Sequence, residues 1–139
     1  MVINEARKWL GTRYKHQGRV RKGSDNAGGC DCLGLILGLG IKTKANENLN
    51  IYDIKNYPKY LTSNFLLDEL DKHLIRVDEL EPGNIILIRI NNWPQHLALV
   101  TGINPNITII HSYAQARKVV EQHLPKIWEE NIVAIYSSF

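Results

Sequence analysis

The chain has 139 residues, 44% of them hydrophobic and 22% charged, with a formal net charge of +3. That is one domain, residues 1–139, large enough to bury a core without disulfides, and its composition excludes a disordered tail or a repeat array. No apolar stretch approaches the ~20 residues of a membrane span, and the two cysteines, Cys30 and Cys32, stand too close for an unstrained mutual bridge and are too few for a four-cysteine zinc site.

Val2 to Leu10 has helical spacing (Ile3, Ala6, Trp9, Leu10) and stops at Gly11. This start has no long apolar run and no small-residue cleavage site, so no signal peptide is expected. Thr12 to Gly29 reads as loop. Asp31 can N-cap a helix from Cys32 to about Leu39, ended by Gly40. Lys42 to Tyr60 is a polar connector. Asn64 to Leu74 is an amphipathic helix with Ser63 near its cap.

The second half changes period. Pro82-Gly83 is a turn, Asn84 to Ile90 a strand, and Asn91-Asn92-Trp93-Pro94 a break. His96 to Ile103 and Ile107 to Tyr113 form a hairpin around Asn104-Pro105-Asn106. Val119 to Leu124 and Ile132 to Ser137 complete five strands. Helices first and strands later predict an α+β fold, with the N-terminal helices packed on a five-stranded, mainly antiparallel sheet.

Charge is unevenly divided. Residues 1–44 carry nine Lys or Arg against three acids, and residues 45–139 carry eight against eleven. The basic half is densest from Arg7 to Lys22. Such a patch suits an anionic polymer or a solvated loop. Among Arg13, Lys15, Arg19, Arg21 and Lys22 the only aromatic is Tyr14, which is poor support for nucleic-acid binding.

The segment Gly28-Gly29-Cys30-Asp31-Cys32-Leu33-Gly34-Leu35 carries the most chemistry. With Asp31 as cap, Cys32 opens a helix and faces unpaired N–H groups and the positive dipole end, which favour thiolate. Gly34 and Gly38 lie four apart and strip one helix face, so that a strand can approach. The alternative is a buried structural thiol beside plain helix packing.

A nucleophilic cysteine needs a base from elsewhere in the chain. His16 reads as solvated in the basic loop, His73 as a cation suited to a helix end, and His123 as a strand residue among polar neighbours. His96 and His111 fall in adjacent strands. Alternation puts His96, Ala98 and Val100 on one face, and small Ala98 would let the glycine-bearing helix approach. His111 joins that face only with an even hairpin loop or a bulge, because a one-residue slip turns a strand over. Its role would then be to orient the His96 imidazole. The alternative is two polar residues on a wet face.

Asp31-Cys32-Leu33-Gly34-Leu35, His96-Leu97-Ala98-Leu99-Val100 and Ile110-His111-Ser112, in that order, resemble the NlpC-type cell-wall peptidases. These are papain-like cysteine peptidases of bacterial peptidoglycan. Tyr14-Lys15-His16-Gln17, the Cys30 to Leu35 segment and Val119-Val120-Glu121 look closest to the phage branch, found in phage tails and gene-transfer particles. The resemblance implies a papain-like fold, Cys32 as nucleophile, His96 as base and His111 as orienting residue. It places Tyr14 at the oxyanion with the Cys32 N–H, and Asp31, Gly34 and Ala98 in support. It implies no cofactor and no metal. The substrate would be the peptidoglycan stem peptide, with phage tail proteins as partners. Synthesis would be cytoplasmic and action at the cell wall, reached by particle delivery, lysis or a partner. Stem peptides bear free carboxylates, which Arg19, Arg21 and Lys22 could attract.

Three other readings compete. One is a non-catalytic phage tail structural or assembly protein on the same fold. Another is a nucleic-acid module, against which the acidic second half stands. The last is a zinc site of Cys30, Cys32, His96 and His111.

Overall fold

A computed structural model of the chain describes residues 1–138. Helix α1 covers Val2–Arg7, and the chain then turns through Trp9 to Gly11, where φ is +85°. The region expected as open loop contains a two-stranded antiparallel ribbon, β1 (Arg19–Val20) and β2 (Gly29–Cys30). Helix α2 follows at once, Cys32–Leu37. It ends two residues earlier than expected, with Gly38 as C-cap, and the Trp9 indole packs beside Gly38. The connector contains a short 3-10 helix, Leu49–Tyr52, and α3 covers Phe65–His73 with the Phe65 N–H on Ser63 Oγ.

The five strands stand in the expected order: β3 (Ile85–Ile90), β4 (Trp93–Gly102), β5 (Thr108–Tyr113), β6 (Lys118–His123) and β7 (Ile132–Tyr136). They form one sheet in the order β6-β5-β4-β3-β7, with every neighbour antiparallel. This is the predicted α+β, papain-like arrangement. One local expectation fails. Trp93 and Pro94 do not break the strand but begin it. Asn91 and Asn92, at φ +53° and +72°, make the tight turn that the strand twist demands, and a bulge after Ile88 accommodates Pro94. A short helix α4 (Lys126–Glu129) precedes β7, with Pro125 as its N-cap residue.

The sheet is covered on both faces, so its strands read as apolar runs rather than clean alternations. On one face Leu87, Leu97, Leu99, Ile110 and Tyr136 pack against α1, α2 and α3 in the main core. On the other, Ile86, Ile88, Ala98, Val100 and Ile109 form a smaller core with Leu124 and Trp128. Ala98 therefore points away from α2. The contact side of β4 is Leu97 and Leu99, contrary to the expectation that Ala98 admits the helix. The α2 glycines serve other neighbours. A Cβ at Gly34 would stand 1.9 Å from the Gly18 carbonyl oxygen, and one at Gly38 would stand 2.3 Å from the Trp9 ring.

Candidate active site

Cys32 opens α2 because Asp31 is an effective cap: its Oδ1 accepts the Gly34 N–H at 2.8 Å. The segment is pinned from outside as well. Ser112 Oγ, on β5, donates to the Cys30 carbonyl at 2.7 Å. The two cysteines diverge. Cys30 is fully buried in the main core, whereas Cys32 is part-exposed and lines a cleft of about 210 Å³ with Tyr14, Tyr57, Lys59, Gln95 and His96. The four candidate zinc ligands thus do not converge, and the described residues contain no group of three or more His, Cys, Asp or Glu arranged to hold a metal.

His96 Nε2 lies 2.7 Å from His111 Nδ1. The meeting depends on one bulge. Leu99 pairs with Ile110 and Val100 with Ile109, but Gly102 pairs with Thr108, so Thr101 is the extra residue. Without it the register would turn His111 to the opposite face. Beyond His111 the chain of contacts continues: its Nε2 lies 3.0 Å from Gln122 Oε1 on β6. Tyr113 stacks on His111 with centroids 5.2 Å apart, and Trp128 of α4 reaches within 5.0 Å of His96 and 5.4 Å of His111. Trp128 thus closes over the two imidazoles. His96 is 8% exposed and His111 fully buried.

The resting thiol donates to the Gln95 carbonyl at 3.8 Å, one residue before His96. Its protonation state differs from expectation. Burial pushes Cys32 up to about 12, and the neighbouring Asp31 carboxylate adds to the rise, against the N–H groups of Leu97 and Leu33. A six-residue helix beside a buried carboxylate cannot offset that desolvation. Burial also pulls His96 down to about 3, with a further contribution from His111, and holds His111 below its usual range. The resting groups are a neutral thiol and two neutral imidazoles. Tyr14, pushed up to about 12 by burial and then by Cys32, keeps its phenolic proton.

Asp31 does more than cap. Its Oδ2 accepts the Gln17 N–H at 2.8 Å and the Tyr57 hydroxyl, and its Oδ1 also accepts from Arg19 at 3.2 Å. Arg19 donates further to Asp53 at 2.9 Å and to the Ile54 carbonyl at 2.8 Å. Arg19 was expected to attract substrate carboxylates from the basic loop. Its five donors are instead largely committed within the protein, and neither Arg21 nor Lys22 lines the cleft. The lining lysine is Lys59, whose Nζ stands 5.6 Å over the Tyr14 ring. His16, expected in solvent, also lines the cleft, with Nε2 at 3.1 Å from the Tyr57 carbonyl.

The structure thus brings Tyr14, Asp31, Cys32 and His96 to one cleft and joins His111 to His96 from behind. Gly34 sits behind Cys32 against Gly18, and Ala98 lies in the second core. Residues not foreseen are Arg19 and Tyr57 around Asp31, and Gln122 and Trp128 around the histidines. Gln122 had a signal in the sequence: it interrupts an apolar alternation between Val120 and Leu124. Pro125 directly before Lys126-Ile127-Trp128 was the available helix-start signal.

No protein-family model and no curated protein matches the chain. Among solved structures, the peptidoglycan hydrolase RipB from Mycobacterium tuberculosis is similar over 98% of this chain, at 19% sequence identity and a TM-score of 0.50. The chain spans 61% of that structure's length. The likeness is one of fold.

Proposed function

We propose that this chain is a thiol peptidase that hydrolyses an amide bond in the stem peptides of peptidoglycan. The carrying observation is that Cys32, at a helix start, and His96, held from behind by His111, border one cleft. The shared fold with a peptidoglycan hydrolase supports the substrate class. The sequence resemblance to the phage branch supports delivery to the wall with a phage-type particle.

The neutral resting pair favours general-base catalysis over a stored ion pair. As Cys32 Sγ bonds to the amide carbonyl carbon, His96 takes the thiol proton and becomes imidazolium. The developing oxyanion accepts from the Cys32 backbone N–H and the Tyr14 hydroxyl, which stays protonated. The C–N bond then breaks, His96 returns the proton to the leaving amine, and a thioester remains. Water, deprotonated by His96, releases the carboxylate product and restores the thiol. Trp128 and Tyr113 keep water from the imidazoles, so their hydrogen bonds act at low dielectric.

The test is incubation of purified peptidoglycan with wild type and Cys32→Ala, with mass spectrometry of the released fragments. New amine and carboxyl ends should appear only with wild type. No release by well-folded wild type would overturn the proposal and favour a non-catalytic assembly protein on this fold.

A further inference from the structure

Two histidines joined nitrogen to nitrogen pose a question of direction. One ring must donate and the other accept, and each neutral imidazole carries one N–H. If His96 donates from Nε2, its Nδ1 is a bare lone pair and can act as a base. If His111 donates from Nδ1, the His96 proton sits on Nδ1 and no base remains. Distance alone does not choose between these.

Gln122 breaks the tie. Its amide is oriented by its own donor, since Nε2 donates to the His123 carbonyl at 3.4 Å. That leaves Oε1, which can only accept, 3.0 Å from His111 Nε2. His111 must then carry its proton on Nε2, and its Nδ1 is an acceptor. His96 Nε2 must donate to it across 2.7 Å. The remaining nitrogen, His96 Nδ1, is unprotonated. Among the described residues no buried side-chain polar atom lacks a hydrogen-bond partner, so this Nδ1 is not an enclosed orphan, and His96 lines the cleft shared with Cys32.

We propose that Gln122 is a positioning residue that sets the tautomers of His111 and, through it, of His96, so that His96 presents its Nδ1 lone pair to the cleft. The inference rests on the peptidase reading only for its consequence in catalysis. The tautomers themselves are properties of the free protein. Once His96 takes a proton at Nδ1, the same aligned donors and acceptors face its positive charge: His96 Nε2–H to His111, and His111 Nε2–H to the Gln122 oxygen. No proton need move beyond His96. Gln122 pairs with Ile109 in the sheet, which puts it on the His111 face two residues away, and β6 holds it there.

The test is two-dimensional long-range proton–nitrogen NMR on the full chain labelled with 15N-histidine, in wild type, Gln122→Met and Gln122→Glu, at pH 7.5. Wild type should show both rings protonated at Nε2 only. Gln122→Met keeps the size and removes the acceptor, so His111 and His96 should become tautomer mixtures. Gln122→Glu keeps an acceptor and should retain the Nε2–H forms. On a cleaved stem peptide, kcat should fall about tenfold for Gln122→Met with KM little changed, and recover in Gln122→Glu. A wild-type His96 protonated at Nδ1, or a Gln122→Met protein with unchanged tautomers, would overturn the proposal. Correct tautomers without any peptide cleavage would instead overturn the peptidase reading alone.

Discussion

His111 reaches His96 at 2.7 Å because Thr101 is bulged out of the β4–β5 ladder. That one inserted residue puts the two imidazoles on the same sheet face; without it they would stand on opposite faces. Burial then gives the pair a pH signature. The unfolded chain takes up protons near the ordinary value of 6.5, but folded His96 does so only near 3. Between those values the unfolded state binds more protons, so stability falls as pH falls, by up to about 1.4 kcal/mol per pH unit for one histidine. Urea midpoints should therefore drop between pH 6.5 and 4 in wild type, and less steeply in His96→Asn. Parallel slopes would contradict the burial of a neutral His96.

Asp31 helps to keep Cys32 neutral while holding α2 in place. Asp31→Asn can still cap the Gly34 N–H but loses the carboxylate facing Arg19. Breaking this half-buried pair should cost about 3 kcal/mol of stability. It should also lower the thiol pKa, since the carboxylate raises it, while burial keeps it above the ordinary 9.0. The rate of iodoacetamide modification of Cys32 at fixed pH between about 8 and 10, followed by mass spectrometry, reads this through the thiolate fraction, which should be larger in the variant. An unchanged or slower rate in the variant would count against the electrostatic account.

If the chain is a stem-peptide hydrolase, Lys59, which lines the cleft, should meet substrate carboxylates rather than Arg21 or Lys22, which do not. Lys59→Gln should raise KM about fivefold on stem peptides with free carboxylates, an exposed contact worth on the order of 1 kcal/mol. Amidated peptides should show little change. Arg21→Gln with Lys22→Gln, both outside the cleft, should leave both KM values near wild type. The reverse pattern would return recognition to the loop.

Gly34 admits the Gly18 carbonyl, and the atom a Cβ would strike first is that backbone oxygen rather than the end of a flexible side chain. Gly34→Ala should overpack this contact by about 3 kcal/mol and lower the thermal midpoint by roughly 10 °C. Gly23→Ala is the control, because a Cβ there meets nothing within 4 Å. It should shift the midpoint by no more than about 2 °C. Similar midpoints for the two variants would show that the loop at Gly18 gives way.

Much of this was written locally. The Asp31 cap, the period change after Pro82 and the five apolar runs are short-range signals, and they settle element order, the α+β class and the placing of Cys32 at a helix start. The ordered motifs around Cys32, His96 and His111 also pointed to the right fold. Other features depend on partners distant in the chain. Both sheet faces are apolar, so strand alternation could not say whether Leu97 or Ala98 meets α2. A single bulge at Thr101 decided the His111 face. Arg19 looked like a free surface charge until the 53–57 segment folded over it and took up its donors. The protonation of Cys32 and His96 followed desolvation rather than helix position, and desolvation belongs to the packed surroundings, to Trp128 and the cleft walls, not to the residues themselves.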